Sequence, residues 1–148
     1  MPMTADLPVS RIMTSKPTTV APTDSMDTVR QVLEKGGFHH LPVVEKGRLV
    51  GIVSYTDYLR LIRNVFSNSQ ETRANERVLK ATLVKDIMTD HLLCLSPDDT
   101  VETALRIFKA NQFHSLPVVD EHMHLLGIVT TLDLMRVLET IFLEQTRP

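Results

Sequence analysis

The chain has 148 residues, 43% hydrophobic and 23% charged, with a net charge of −2. That length suits one compact domain or two small halves sharing a core, because a half alone would bury little apolar surface. Scattered rather than clustered Lys and Arg exclude a nucleic-acid footprint, no apolar run is long enough to cross a bilayer, and the one cysteine, Cys94, lacks an internal disulfide partner.

Residues 1–8 show no periodicity and read as an arm. Val9-Ser10-Arg11-Ile12-Met13-Thr14 places apolar residues at i, i+3 and i+4, which predicts one helical turn with Met13 facing inward. A short β-type run, Pro17 to Val20, follows. Asp24 and Asp27 have the spacing of a helix capping pair, and the helix carrying Met26, Val29 and Leu33 is expected to stop at Gly36-Gly37. Leu41-Pro42-Val43-Val44, a turn at Glu45-Lys46-Gly47 and Leu49 to Val53 predict a hairpin, and a closing helix is expected over Tyr58 to Phe66. Residues 67–83 read as a linker, polar over Ser67 to Glu76 and able to end in a helix at Arg77 to Ala81.

The same order then returns about 75 residues later, a period suited to two tandem modules. Val84 to Thr89 repeats the opening turn with Met88 inward, and Leu92 to Leu95 repeats the short strand. Asp99 and Glu102 repeat the capping pair, and the helix with Val101, Ala104, Leu105 and Phe108 ends at Asn111. Leu116 to Val129 repeats the hairpin and Leu134 to Glu144 the closing helix. The expected fold is α+β, two β-α-β-β-α halves divided as an arm at 1–8, a repeat at 9–66, a linker at 67–83 and a repeat at 84–148.

Three motifs carry the duplication: Ile-Met-Thr at 12–14 and 87–89, His-x-Leu-Pro-Val-Val from His39 and from His114, and Gly-Ile-Val-Ser/Thr-x-x-Asp from Gly51 to Asp57 and from Gly127 to Asp133. In this order, twice, they resemble tandem cystathionine-β-synthase (CBS) domains, a Bateman module, over roughly 9–66 and 84–142. The resemblance implies repeats packed about a pseudo-twofold axis, with clefts between them that take adenine nucleotides or related adenosyl ligands.

The residues suggest how. Gly51 and Gly127 allow the backbone close to a ligand or a neighbouring strand. Ser54 and Thr130 stand at helix starts, where free N–H groups and the dipole favour a phosphate. Asp57 and Asp133, three residues on, suit a ribose diol; the same tetrapeptides also read as capping boxes. By the resemblance, His39, His40 and His114 stand near the positions of phosphate-meeting basic residues, with Ser115 in place of a second one. Thr14, Thr19, Thr89 and Cys94 would border the adenine in a crossed arrangement, Asp133 with Thr14 to Val20 and Asp57 with Thr89 to Leu95.

No nucleophile stands beside a base and no phosphate-cradling loop is present, so no enzyme is expected; His122-Met123-His124 lacks metal-ligand spacing, so no metal is expected. The closing helices, 58–66 and 134–144, are apolar over more than one face, which predicts a homodimer through them. The expectation is a cytoplasmic regulatory CBS pair that binds AMP, ADP, ATP or S-adenosylmethionine and signals to a separate effector protein. The alternative is a ligand-free dimeric interaction scaffold.

Overall fold

A computed structural model describes residues 6–63, 71–111 and 113–148. A 3-10 turn at Val9–Arg11 leads to β1 (Thr14–Ser15), α1 (Met26–Gly36), β2 (His40–Glu45), β3 (Arg48–Ser54) and α2 (Tyr55–Arg63). There follow α3 (Glu71–Ala81), α4 (Val84–Ile87), α5 (Val101–Asn111), β4 (Ser115–Val119), β5 (Leu125–Thr130) and α6 (Thr131–Thr146).

The described residues form two compact units that do not coincide with the sequence repeats. The Asp57 unit is Thr18–Leu92; the Asp133 unit joins the described residues up to Pro17 to Leu93–Pro148. Each unit therefore takes its opening turn from the other repeat.

In the Asp133 unit, β1 pairs antiparallel with β5, placing Thr14 against Ile128 and Ser15 against Gly127, and β5 pairs with β4. Val9 is fully buried in a core with Val101, Phe108, Leu116 and Val129. Its amide is satisfied by the Asp99 carbonyl at 2.7 Å, as a buried backbone donor requires. In the Asp57 unit, β2 and β3 form a hairpin, and Ile52 and Thr89 exchange two backbone hydrogen bonds of 2.9 Å. Val84 is buried there as Val9 is in the first, with its amide donating to the Asp24 carbonyl.

The glycines of the two hairpins now have a reason. A Cβ on Gly127 would lie 2.5 Å from Met13 Sδ and 2.8 Å from the Thr14 carbonyl oxygen; one on Gly51 would lie 2.5 Å from Met88 Sδ and 3.1 Å from the Thr89 carbonyl oxygen. The close neighbour is thus the borrowed opening segment. Tight interiors leave no room for an added methyl, so Ile-Met-Thr and the hairpin glycine are two halves of one packing device.

Several local expectations change. The helix caps sit one residue later than the Asp24 and Asp99 spacing suggested: Ser25 Oγ accepts from the Thr28 amide at 3.2 Å and Thr100 Oγ1 from the Thr103 amide at 3.1 Å. Asp24 and Asp99 instead close the preceding turns, accepting from the Ala21 and Ser96 amides at 2.8 Å. Asp27 is turned to Arg30 and Gln31, and the hydrogen bonds from the Arg30 guanidinium, outweighing the opposing effect of burial, hold its carboxyl below the usual range. The runs at 17–20 and 92–95 make only single-residue parallel bridges, Val20 to Val43 and Leu95 to Val118, rather than strands. The closing helices start three residues earlier than expected, directly at their caps; residues 64–66 of the first lie outside the described residues. The polar segment read as a linker is helical over Glu71–Ala81, and its Leu79, 2% exposed, joins the core of the Asp57 unit.

Candidate functional site

Both candidate aspartates sit where a strand of the hairpin turns into the closing helix. In the Asp133 unit, Thr130 Oγ1 accepts from the Asp133 amide at 3.3 Å, while Asp133 Oδ2 accepts from the Thr130 amide at 2.8 Å and its hydroxyl at 3.1 Å. In the Asp57 unit, Ser54 Oγ accepts from the Asp57 amide at 3.1 Å, and Asp57 Oδ2 accepts from the Ser54 amide at 2.8 Å and its hydroxyl at 2.9 Å. Each is a closed capping box. The next amides are also taken: Tyr55 donates to the His39 carbonyl at 2.8 Å and Thr131 to the His114 carbonyl at 3.2 Å. Three backbone donors at each helix start are thus occupied internally, leaving little of the terminus open to a phosphate.

What remains is the second carboxylate oxygen. Oδ1 of each aspartate carries no hydrogen bond among the described residues. Its nearest cation is an arginine one turn on, Arg60 Nη1 to Asp57 and Arg136 Nη1 to Asp133, both at 3.7 Å. That is an ion-pair distance, beyond a hydrogen bond. The carboxylates are held in place and mostly buried, their side chains 15% and 6% exposed, while the arginines are 69% and 67% exposed. The sequence reading singled out the aspartates and missed the arginines, although Asp-x-x-Arg recurs at the same place in both copies.

The other candidates divide between the two units. The Asp133 unit gathers Thr130, His114, Thr14 and Cys94; the Asp57 unit gathers Ser54, His39, His40, Thr89 and Thr19. Thr14 and Thr89 are exposed and lie beside Ile128 and Ile52, two residues before the caps. Thr19, His39 and His114 are exposed and His40 half-buried. Burial pushes the half-buried Cys94 thiol up.

The units differ in chemistry at the cap. Tyr55, 41% exposed, stands edge-on to the His39 ring at 6.4 Å and near Tyr58 at 5.8 Å, whereas Thr131 takes the corresponding place in the other unit. On the second hairpin turn, Asp120 Oδ1 accepts from the His122 and His124 amides, and Oδ2 meets His124 Nδ1 at 2.9 Å. Among the described residues no three His, Cys, Asp or Glu stand together as a metal site would require, and no helix is long and apolar enough to cross a membrane.

The geometry can be set beside known proteins. Protein MJ1225 of Methanocaldococcus jannaschii is 30% identical over 115 residues, covering 78% of this chain and 41% of that protein. This chain spans less than half the length of the first curated relatives it matches. Among solved structures, CBSX2 in complex with AMP superposes with a TM-score of 0.76 at 29% identity, covering 90% of this chain and 97% of that one; CBSX2 is from Arabidopsis thaliana. The CBS domain pair of protein MJ0100, in complex with 5-methylthioadenosine and S-adenosylmethionine, superposes at 0.71 with 25% identity, covering 90% and 97%. The family profile described as CBS domain matches residues 9–64 and again 84–140. With both repeats matched and their order reproduced in the structure, the chain belongs to the CBS domain family, as a tandem pair.

Proposed function

We propose that this CBS pair is a non-catalytic regulatory module that binds an adenosine-containing ligand, AMP, ADP, ATP or S-adenosylmethionine, and passes its occupancy to a separate protein. The observation that carries the reading is the state of Asp57 and Asp133. One oxygen is fixed in the helix cap and the other is left as an oriented acceptor without a donor. A hydroxyl of a ribose supplies that donor. The complexes of CBSX2 with AMP and of the MJ0100 domain pair with 5-methylthioadenosine and S-adenosylmethionine support the same ligand class. Thr14, Thr19, Thr89 and Cys94 would border the base, and His39, His40 and His114 the phosphate side. With most helix-start donors engaged, recognition rests on the sugar and the base more than on phosphate.

Titration calorimetry of AMP, ADP, ATP and S-adenosylmethionine against the wild type is the test. At least one is expected to bind more tightly than about 1 mM, equivalent to roughly −4 kcal/mol, and Asp57→Ala with Asp133→Ala to weaken it at least tenfold. No binding by the wild type would overturn the reading. One observation favours the scaffold alternative: both capping boxes are complete without a ligand. In that case the same substitutions lower the melting temperature and no adenosyl ligand binds. Either reading includes a homodimer, proposed from the uncovered apolar stripe of α6: Met135, Leu138 and Phe142, 62%, 52% and 63% exposed.

A further inference from the structure

We infer that α3 is a detachable cover over a helix-pair face, an autoinhibitory contact that hides on the Asp57 unit a surface the Asp133 unit leaves bare. The two units are built on sequence repeats, yet only one carries a third helix against its pair. In the Asp57 unit α3 packs on α1 and α2, and its Leu79 shares a core with Val29, Leu33 and the half-buried Ile62. In the Asp133 unit Ala104, Phe108 and Leu138 hold the places of those three, and among the described residues no helix lies over α5 and α6 in that manner. Ala104 and Phe108 are buried all the same, while Leu138 and Leu105, the latter in the place of Arg30, are 52% and 45% exposed. A unit of this kind therefore closes its core without a third helix, and α3 adds a lid on the outer surface of the pair.

The grip of α3 is weak. Among its described side chains only Leu79 is buried, and Arg73, Glu76, Arg77 and Lys80 are exposed. Asn75 keeps a buried side-chain oxygen with no hydrogen-bond partner among the described residues, and an unmet buried acceptor weighs against the docked position because undocking returns it to water. The joint lies just beyond the helix. The Thr82 carbonyl accepts from the Met26 amide and the Val84 amide donates to the Asp24 carbonyl, both at 2.8 Å. The same two bonds recur in the other unit, from Val101 to Leu7 and from Val9 to Asp99, so the opening turn stays anchored when α3 lifts away. A short polar helix takes most of its stability from docking, and one held by a single leucine belongs with the elements that open locally while the rest stays folded. The face beneath is the repeat of the bare α5–α6 face, and its occupant is a second copy of this chain, by the same apolar contact that the homodimer reading assigns to α6; this association step rests on that reading.

Hydrogen exchange read by mass spectrometry and sedimentation equilibrium, both on the full chain, form the test. In the wild type the amides of α3 are expected to exchange about tenfold faster than those of α1, or more. Asn75→Leu, which replaces the unmet acceptor by an apolar side chain, is expected to slow α3 about tenfold and leave α1 unchanged. Leu79→Glu is expected to hold α3 open while the thermal melt stays cooperative, and to give species heavier than the wild type at the same concentration. Exchange of α3 no faster than that of α1, or no response to Asn75→Leu, would make α3 an integral part of the core, and so would loss of the cooperative melt in Leu79→Glu. A folded Leu79→Glu variant of unchanged mass would leave the uncovered face without a second copy and overturn the autoinhibitory contact. A monomeric wild type removes the α6 homodimer alone, since the exchange data and the mass of Leu79→Glu still decide on α3.

Discussion

A methyl group added at residue 127 meets two neighbours of different compliance. Met13 Sδ, 2.5 Å away, is the end of a flexible side chain, but the Thr14 carbonyl, at 2.8 Å, is backbone in a paired strand. At Gly51 the corresponding carbonyl is 3.1 Å away and needs to yield only a few tenths of an ångström. Gly127→Ala is therefore expected to cost about 2 kcal/mol by overpacking and Gly51→Ala about 1 kcal/mol, measured by urea unfolding; a larger loss at Gly51 would contradict the ordering. The residue scale is also where the sequence was most readable. The capping boxes are local, with both partners within four residues, so Ser54, Asp57, Thr130 and Asp133 declared them. The glycine could be seen to need space, but not whose atoms would fill it, because Met13 lies more than a hundred residues from Gly127. Arg60 and Arg136 stand at helical spacing from their aspartates in the sequence itself, but the 3.7 Å separation from one carboxylate oxygen is visible only in the fold.

Among the elements, α3 departs most from what composition suggests. The segment of α3 is polar except for a few residues, and its helix is held by packing on α1 and α2 rather than by an apolar stripe of its own. Tertiary contact of that kind overrides a weak local signal. The same weakness explains why Thr18 to Val20 fell short of a strand: one bridge to Val43, between prolines at 17 and 22, leaves no room for a ladder. In α6 the excess of apolar surface was legible, and the structure leaves it uncovered, with Leu132 and Leu143 also more than half exposed. If a second copy covers it, sedimentation equilibrium at tens of micromolar is expected to give twice the chain mass, and Met135→Glu with Phe142→Glu the single mass with the helical circular dichroism retained. A monomeric wild type would remove the homodimer.

At the scale of the whole molecule, periodicity identifies the copies while compactness groups the residues differently, since nothing in a repeat states which opening turn its hairpin will take. The two groupings make opposite forecasts for fragments. Residues 18–92 contain an entire compact unit, with Val84 and Leu79 in its core and Thr89 against Ile52. Residues 9–66 contain a sequence repeat but none of those three. The first fragment is expected to unfold cooperatively in a thermal melt followed by circular dichroism, though with the small margin of a domain of that size. The second is expected to show no transition, and a cooperative melt from it would refute the grouping.

The exchange of opening turns also bears on heredity. After a duplication, two copies are ordinarily free to drift apart, each keeping faith with itself. Here a side chain arising at Gly127 must be accommodated by Met13, across the duplication, rather than by Met88 in the same copy. Neither half can be replaced alone without taking the floor from under its twin's hairpin.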